Sequence, residues 1–159
     1  MARAPYVAVI GASEPRGADA TAAEEVGRRL AEAGAIVVTG GRGGVMAAAC
    51  RGTQEAGGTS IGLLPGSSRE DANEWVSVAL PTGLGELRNG LVVRAADVII
   101  AIGGAYGTLS EIALALHAGK PVLGLLTWEI DGVEPQPDPE AAVARALALA
   151  AAARRRRQT

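Results

Sequence analysis

No phenylalanine occurs in this chain, and there is one cysteine and one histidine. A lone cysteine excludes a disulfide framework, and with a lone histidine it excludes a zinc cluster. Cys50 closes the small-residue run Val45-Met46-Ala47-Ala48-Ala49-Cys50 and reads as a buried residue rather than a nucleophile. His117 falls late in an expected helix, where an imidazole suits the helix dipole or packs, and there is no G-x-S-x-G elbow. No apolar run reaches membrane-spanning length and Met1-Ala2-Arg3-Ala4-Pro5 lacks a secretory core, so a soluble cytoplasmic protein is expected. A net charge of −2 argues against a nucleic-acid partner held by a large basic face. The run Arg154 to Arg157 is the exception, and reads as a solvated helix end whose cations complement the dipole.

What is present is aliphatic. At 159 residues and 48% hydrophobic, the chain is one domain's worth, 1–159, with material for a full core. Short strands are expected at Tyr6 to Ile10, Ala35 to Thr39, Thr59 to Leu64, Glu74 to Leu80, Asp97 to Ile102 and Pro121 to Leu126. Between them lie helical patterns at Thr21 to Ala33, Val45 to about Ala56, Leu84 to Ala96 and Leu109 to Ala118, with a last helix from Glu140 to Arg157. Thr21-Ala22-Ala23-Glu24 fits a capping box, and Gly34 stops that helix. Asp131 to Pro139 reads as a proline-rich connection with no core potential. This alternation predicts an α/β fold: a Rossmann-like, doubly wound, mostly parallel sheet flanked by helices.

Three glycine turns follow strands: Gly11 to Ser13, Gly40 to Gly44 and Gly103 to Gly107. In such a sheet all three fall on the edge where ligands bind. The most informative is Gly103-Gly104-Ala105-Tyr106-Gly107-Thr108-Leu109-Ser110-Glu111. A glycine turn opening a helix presents free N–H groups at the positive end of the dipole, which suits a phosphate. Thr108 adds a hydroxyl and Glu111 a carboxylate. The common nucleotide fingerprints are absent: there is no G-x-x-x-x-G-K-[ST], and no G-x-G-x-x-G after the first strand.

Gly103 to Glu111 resembles the P-G-G-x-G-T-x-x-E signature of the LOG proteins, some of which are cytokinin riboside 5'-monophosphate phosphoribohydrolases once taken for lysine decarboxylases. Gly40 to Met46 resembles that family's earlier glycine turn, and Leu87-Arg88-Asn89 stands where the family has an Arg-Lys pair. The resemblance runs from about Val7 to Leu126. Gly103 replaces the family's Pro, Ala105 its second Gly, and Asn89 its Lys, while Gly85 and Glu86 replace a Met and a His. This variant pattern is closer to the sister branch that includes molybdenum cofactor carrier proteins.

The resemblance implies Arg88 and Glu111 as catalytic residues. It implies Gly104, Tyr106, Gly107 and Thr108 around the phosphate and base, and Gly11, Ser13, Gly40, Gly41, Gly43 and Asn89 as further ligand contacts, with no metal. Each has a structural reading as well. Thr108 to Glu111 is written as a capping box, in which Glu111 would reach back to its own helix. Arg88 suits an oxyanion, or an ordinary amphipathic helix surface. The glycines satisfy tight turns whether or not a ligand binds.

The resemblance implies a small phosphorylated ligand and a homodimer. The reaction it implies is hydrolysis of the N-glycosidic bond of a nucleoside 5'-monophosphate, with no cofactor required. The alternative is a non-catalytic carrier of a phosphorylated cofactor such as molybdopterin. A third reading, single-stranded DNA binding, is opposed by the acidic balance and the few aromatics.

Overall fold

A computed structural model describes residues 3–157. Seven strands form one sheet in the order β4-β3-β2-β1-β5-β6-β7, and all six pairings are parallel. The strands are β1 Tyr6–Gly11, β2 Ile36–Thr39, β3 Thr59–Leu64, β4 Val78–Pro81, β5 Val98–Ile102, β6 Val122–Leu125 and β7 Val133–Pro135. The helices are α1 Asp19–Glu32, α2 Val45–Glu55, α3 Arg88–Ala95, α4 Tyr106–His117 and α5 Pro139–Arg157. This is the Rossmann-like α/β architecture expected from the alternating pattern.

The aliphatic composition has a direct structural use. Every residue of β5 is buried, as a central strand covered on both faces requires. Successive side chains divide between two cores: Val98, Ile100 and Ile102 face α1, α2 and α5, whereas Ile99 and Ala101 face α3 and α4. Small residues bring α1 and α2 together. A Cβ on Gly27 would lie 2.1 Å from the Ala49 carbonyl oxygen, and one on Gly52 would lie 2.0 Å from that of Glu24. Thr53 Oγ1 donates across the same contact to the Gly27 carbonyl at 3.3 Å.

Four expectations need correction. The Thr21 capping box does not form, because α1 begins two residues earlier at Asp19 and leaves Thr21 exposed inside the helix. The Asp19 carboxylate accepts the Arg16 N–H at 3.0 Å and closes the preceding loop ahead of the helix. Leu84 to Ala96 divides into a 3₁₀ turn, Gly85–Leu87, and α3. β4 starts at Val78 rather than Glu74, since Asn73 turns the chain through the Trp75 N–H and Ser60 and Ser77 exchange side-chain bonds in place of ladder pairing. The proline-rich stretch supplies a seventh strand, β7, whose Val133 packs on the core while Pro135 occupies the sheet edge.

The strand order reverses between β1 and β5. The chain runs outward from β1 to β4, then returns to place β5 on the other side of β1. The carboxyl ends of β1 and β5 therefore border a crevice at the topological switch point.

Candidate functional site

A cavity of about 310 Å³ occupies that crevice. Its floor is the end of β1 with Gly11 and Ser13, and the turn after β2 contributes Gly40. Glycine is required at Gly11, where a Cβ would lie 2.5 Å from Val45 Cγ1 and 2.6 Å from the Ile102 carbonyl. Gly44 has φ +65°, and a side chain there would strike the Ala12 carbonyl at 2.2 Å. Ala12 also accepts the Val45 N–H at 3.0 Å, which fixes the start of α2 against the β1 turn.

The far wall is the first turn of α4. Gly103 and Gly104 carry φ values of +53° and +141°. The Gly103 N–H donates to Leu125, and its carbonyl accepts from Thr127 Oγ1 at 2.7 Å. The Asp19 carboxylate lies so close to Gly103 that a Cβ there would meet Oδ2 at 2.3 Å. Held in this way, the chain enters α4 at Tyr106, with Ala105 at the N-cap. Thr108 is then the third helical residue, and its Oγ1 accepts the Ala105 N–H at 3.3 Å. The expected capping box of Thr108 and Glu111 does not form, because α4 starts three residues before Leu109. Glu111 lies in the second turn, and its carboxylate is free of any capping role.

Glu111 and Arg88 meet in the cavity. Both are buried, at 6% and 9% exposure, and Arg88 Nη1 stands 3.9 Å from Glu111 Oε1. Burial drives the Glu111 carboxyl up to about 7, with the Arg88 charge opposing that rise. Burial also lowers the Arg88 guanidinium, an effect that Glu111 offsets and Arg42 reinforces. Arg88 Nη1 donates to Asn89 Oδ1 at 2.7 Å, while its buried Nε has no hydrogen-bond partner among the described residues. Gly40 makes room for this group: a Cβ there would lie 2.5 Å from Nη1.

Of the residues expected at the site, Gly11, Ser13, Gly40, Arg88 and Asn89 line the cavity, as do Gly107, Thr108 and Glu111. Gly41, Gly43, Gly104 and Tyr106 lie off it. Gly41 packs on Leu64 and Gly62 at φ +76°, and Gly104 packs on Trp128. A Cβ on Gly43 would lie 4.0 Å from the Ser13 carbonyl, an ordinary contact. Tyr106 is 89% exposed and borders a neighbouring groove of about 470 Å³ with Leu87 and Leu114.

Three supporting residues are not among those the sequence reading assigned to the site. Asn73 staples the second glycine turn through the Gly41 and Arg42 carbonyls, Asp19 closes on the third turn, and Glu86 lines the cavity. Only Glu86, beside the Leu87-Arg88-Asn89 motif, carries a signal that could have drawn attention. No group of three or more His, Cys, Asp or Glu suited to a metal occurs among the described residues. No helix there is long and apolar enough to cross a membrane.

The fold has counterparts among known proteins. The molybdenum cofactor binding protein of the phototrophic bacterium Rippkaea orientalis superposes with a TM-score of 0.88 at 34% identity, over 92% of this chain and 98% of that one. The Moco carrier protein of Chlamydomonas reinhardtii superposes with a TM-score of 0.86 at 35% identity, over 94% and 99% of the two chains. A probable cytokinin riboside 5'-monophosphate phosphoribohydrolase of Oryza sativa is 34% identical over 121 residues. That match takes in 70% of this chain and 52% of the rice protein, so the chain spans about half the length of that relative. The SLOG cluster4 family model matches residues 4–152, and with the LOG-like glycine turns and the Arg88–Glu111 pair on one crevice, the chain belongs to the SLOG cluster4 family.

Proposed function

We propose that the protein binds a nucleoside 5'-monophosphate in the crevice and hydrolyses its N-glycosidic bond. The observation that carries this reading is Glu111: a buried carboxyl beside Arg88, free of helix capping, at the wall of the cavity. The phosphate sits on the unpaired N–H groups of the first turn of α4, at Gly107 and Thr108, where the dipole favours an anion. Arg88, with its unpartnered Nε, supplies the fork for a phosphate or ribose oxygen. Departure of the base breaks the C1'–N bond, and its electron pair goes to the base nitrogen. The ionised Glu111 stabilises the positive charge that develops on the ribose and takes a proton from the attacking water. The water oxygen bonds to C1', the proton passes on to the base, and the products are free base and ribose 5-phosphate. A general base and an electrostatic contribution of this kind are each worth about 10²–10⁴ in rate.

A second reading, carriage of a phosphorylated cofactor of the molybdopterin class without hydrolysis, is favoured by the end-to-end match to the carrier proteins. One experiment separates them. Incubation with AMP and other nucleoside monophosphates is followed for free base, alongside mass spectrometry of gently purified protein. Free base released by wild type and lost in Glu111→Gln supports hydrolysis. No release together with an intact pterin retained on the protein overturns hydrolysis in favour of carriage.

The homodimer belongs to the same proposal. Leu87 is 78% exposed, Tyr106 89% and Leu114 42%, and these residues border the groove between α3 and α4. A second copy covering that face would remove contiguous apolar surface from water beside the cavity.

A further inference from the structure

The Arg88–Glu111 pair is stretched, and Arg88 is hydrogen-bonded elsewhere. Arg88 Nη1 stands 3.9 Å from Glu111 Oε1, beyond hydrogen-bond distance, and donates at 2.7 Å to Asn89 Oδ1. Asn89 is itself anchored on the opposite helix: its Nδ2 donates to Ser110 Oγ at 3.3 Å, and Ser110 Oγ donates to the Gly107 carbonyl at 2.7 Å. A continuous chain of polar contacts thus runs from the start of α4 through Ser110 and Asn89 to the guanidinium. Both Asn89 amide groups are engaged in it, the carbonyl by Arg88 and the amino group by Ser110. Gly40 bounds the guanidinium on another side, where a Cβ would overlap Nη1.

We propose that Asn89, set by Ser110, is a positioning residue that holds the Arg88 guanidinium off Glu111, leaving both groups open to the ligand. Without the Asn89 carbonyl, Nη1 loses its hydrogen-bond acceptor and has the Glu111 carboxylate 3.9 Å away. The two would close into a hydrogen-bonded ion pair that masks the acid and turns the arginine away from an incoming oxyanion. Other charged groups bear on the same space: Arg42, whose charge acts on Arg88, and Glu86, on the cavity wall. Neither forms an ion pair with the Glu111 carboxylate, so Arg88 is the charge that opposes the effect of burial on it. The inference rests on the roles proposed above for Arg88 and Glu111, but its test uses no turnover, so absence of hydrolysis leaves it fully testable.

The test is a carboxyl ¹³C titration of Glu111 by NMR in the full-length protein. Wild type is compared with Asn89→Leu, Asn89→Asp and Ser110→Ala, and near-ultraviolet circular dichroism confirms native packing. Asn89→Leu removes the acceptor at similar size, and the Glu111 midpoint falls by about one pH unit or more as Arg88 closes on it. Ser110→Ala moves the midpoint the same way by less. Asn89→Asp keeps an acceptor for Arg88, and the midpoint stays at or above the wild-type value. A fall in the Leu variant without a fall in the Asp variant is not produced by simple loss of packing. An unchanged midpoint in folded Asn89→Leu, or the same fall in Asn89→Asp, overturns the proposal. If Asn89→Leu does not fold, Ser110→Ala decides: a lowered midpoint supports the relay and an unchanged one rejects it.

Discussion

Glu111 faces the cavity as an acid that titrates near neutrality, and that one residue carries two pH-dependent predictions. Its folded-state value, about 7, lies above the ordinary 4.5. Between those values the folded state holds more protons than the unfolded one, so stability falls as pH rises. The contribution is fully present below about 4.5 and lost as pH passes through about 7; the shift corresponds to roughly 3 kcal/mol. Glu111→Gln should flatten the dependence of urea midpoint on pH across this window, and should be more stable than wild type above it. If the midpoints of the two proteins run parallel from pH 4.5 to 8, the buried acid is not ionising as described. The second prediction concerns rate. Hydrolysis that needs the carboxylate gives a kcat/KM that rises with pH through about 7, and Glu111→Gln removes both that limb and most of the activity. The residue types were legible in the sequence, but their relationship was not. Thr108-Leu109-Ser110-Glu111 reads as a capping box, yet Thr108 Oγ1 serves Ala105 and Glu111 serves the cavity.

That reversal belongs to the start of α4, three residues ahead of the point that local pattern suggests. Contacts from distant chain impose it: the Leu125 carbonyl, Thr127 Oγ1 and the Asp19 carboxylate hold the Gly103 turn in place. Thr108→Val should cost about 1 kcal/mol, the usual worth of a helix-end hydrogen bond, measured by denaturant unfolding. The α1–α2 contact carries a sharper test. Gly27→Ala and Gly52→Ala each thrust a methyl into a carbonyl oxygen, at 2.1 Å and 2.0 Å, and should destabilise by about 1–3 kcal/mol. Gly90, in α3, has no atom within 4 Å of its would-be Cβ, so Gly90→Ala should stabilise by about 0.5–1 kcal/mol. Equal effects of the three substitutions would show that helix propensity, and not interhelical contact, governs these glycines. Both Gly27 and Gly52 sit inside apolar helical patterns, where a sequence shows a poor helix former but not the backbone pressed against it. β7 escaped notice for a different reason: three residues carrying a glutamate and a proline bear no strand period.

For the molecule as a whole, strand order decides where a ligand goes. β1 and β5 are neighbours although their paired residues, such as Val7 and Val98, are 91 positions apart, and their ends make one crevice from turns that are remote in sequence. A phosphorylated ligand that binds there binds only the folded chain. AMP at about 100 times its dissociation constant should therefore add about 2.7 kcal/mol, a rise of several degrees in Tm for a chain of this size. Arg88→Ala should abolish the rise. A Tm indifferent to AMP, ribose 5-phosphate and inorganic phosphate alike would exclude the crevice as their site. Light scattering tests the α3–α4 face: wild type is expected as a dimer, and Leu87→Glu with Tyr106→Glu as a monomer.

The sequence by itself determined the class of the fold, the approximate place of six strands and five helices, and the glycine turns that follow β1, β2 and β5. Those features arise from interactions among residues close in the chain: apolar period, glycine breaks and free N–H groups at a helix start. It also carried the resemblance on which Arg88 and Glu111 were singled out. Tertiary structure alone decided that α4 begins at Tyr106, that Gly41 and Gly104 pack against the scaffold, and that Arg88 and Asn89 of α3 face Glu111 and Ser110 of α4. Each of these depends on a partner brought close by the sheet, and a burial energy or a hydrogen bond between such partners leaves no trace in local spacing.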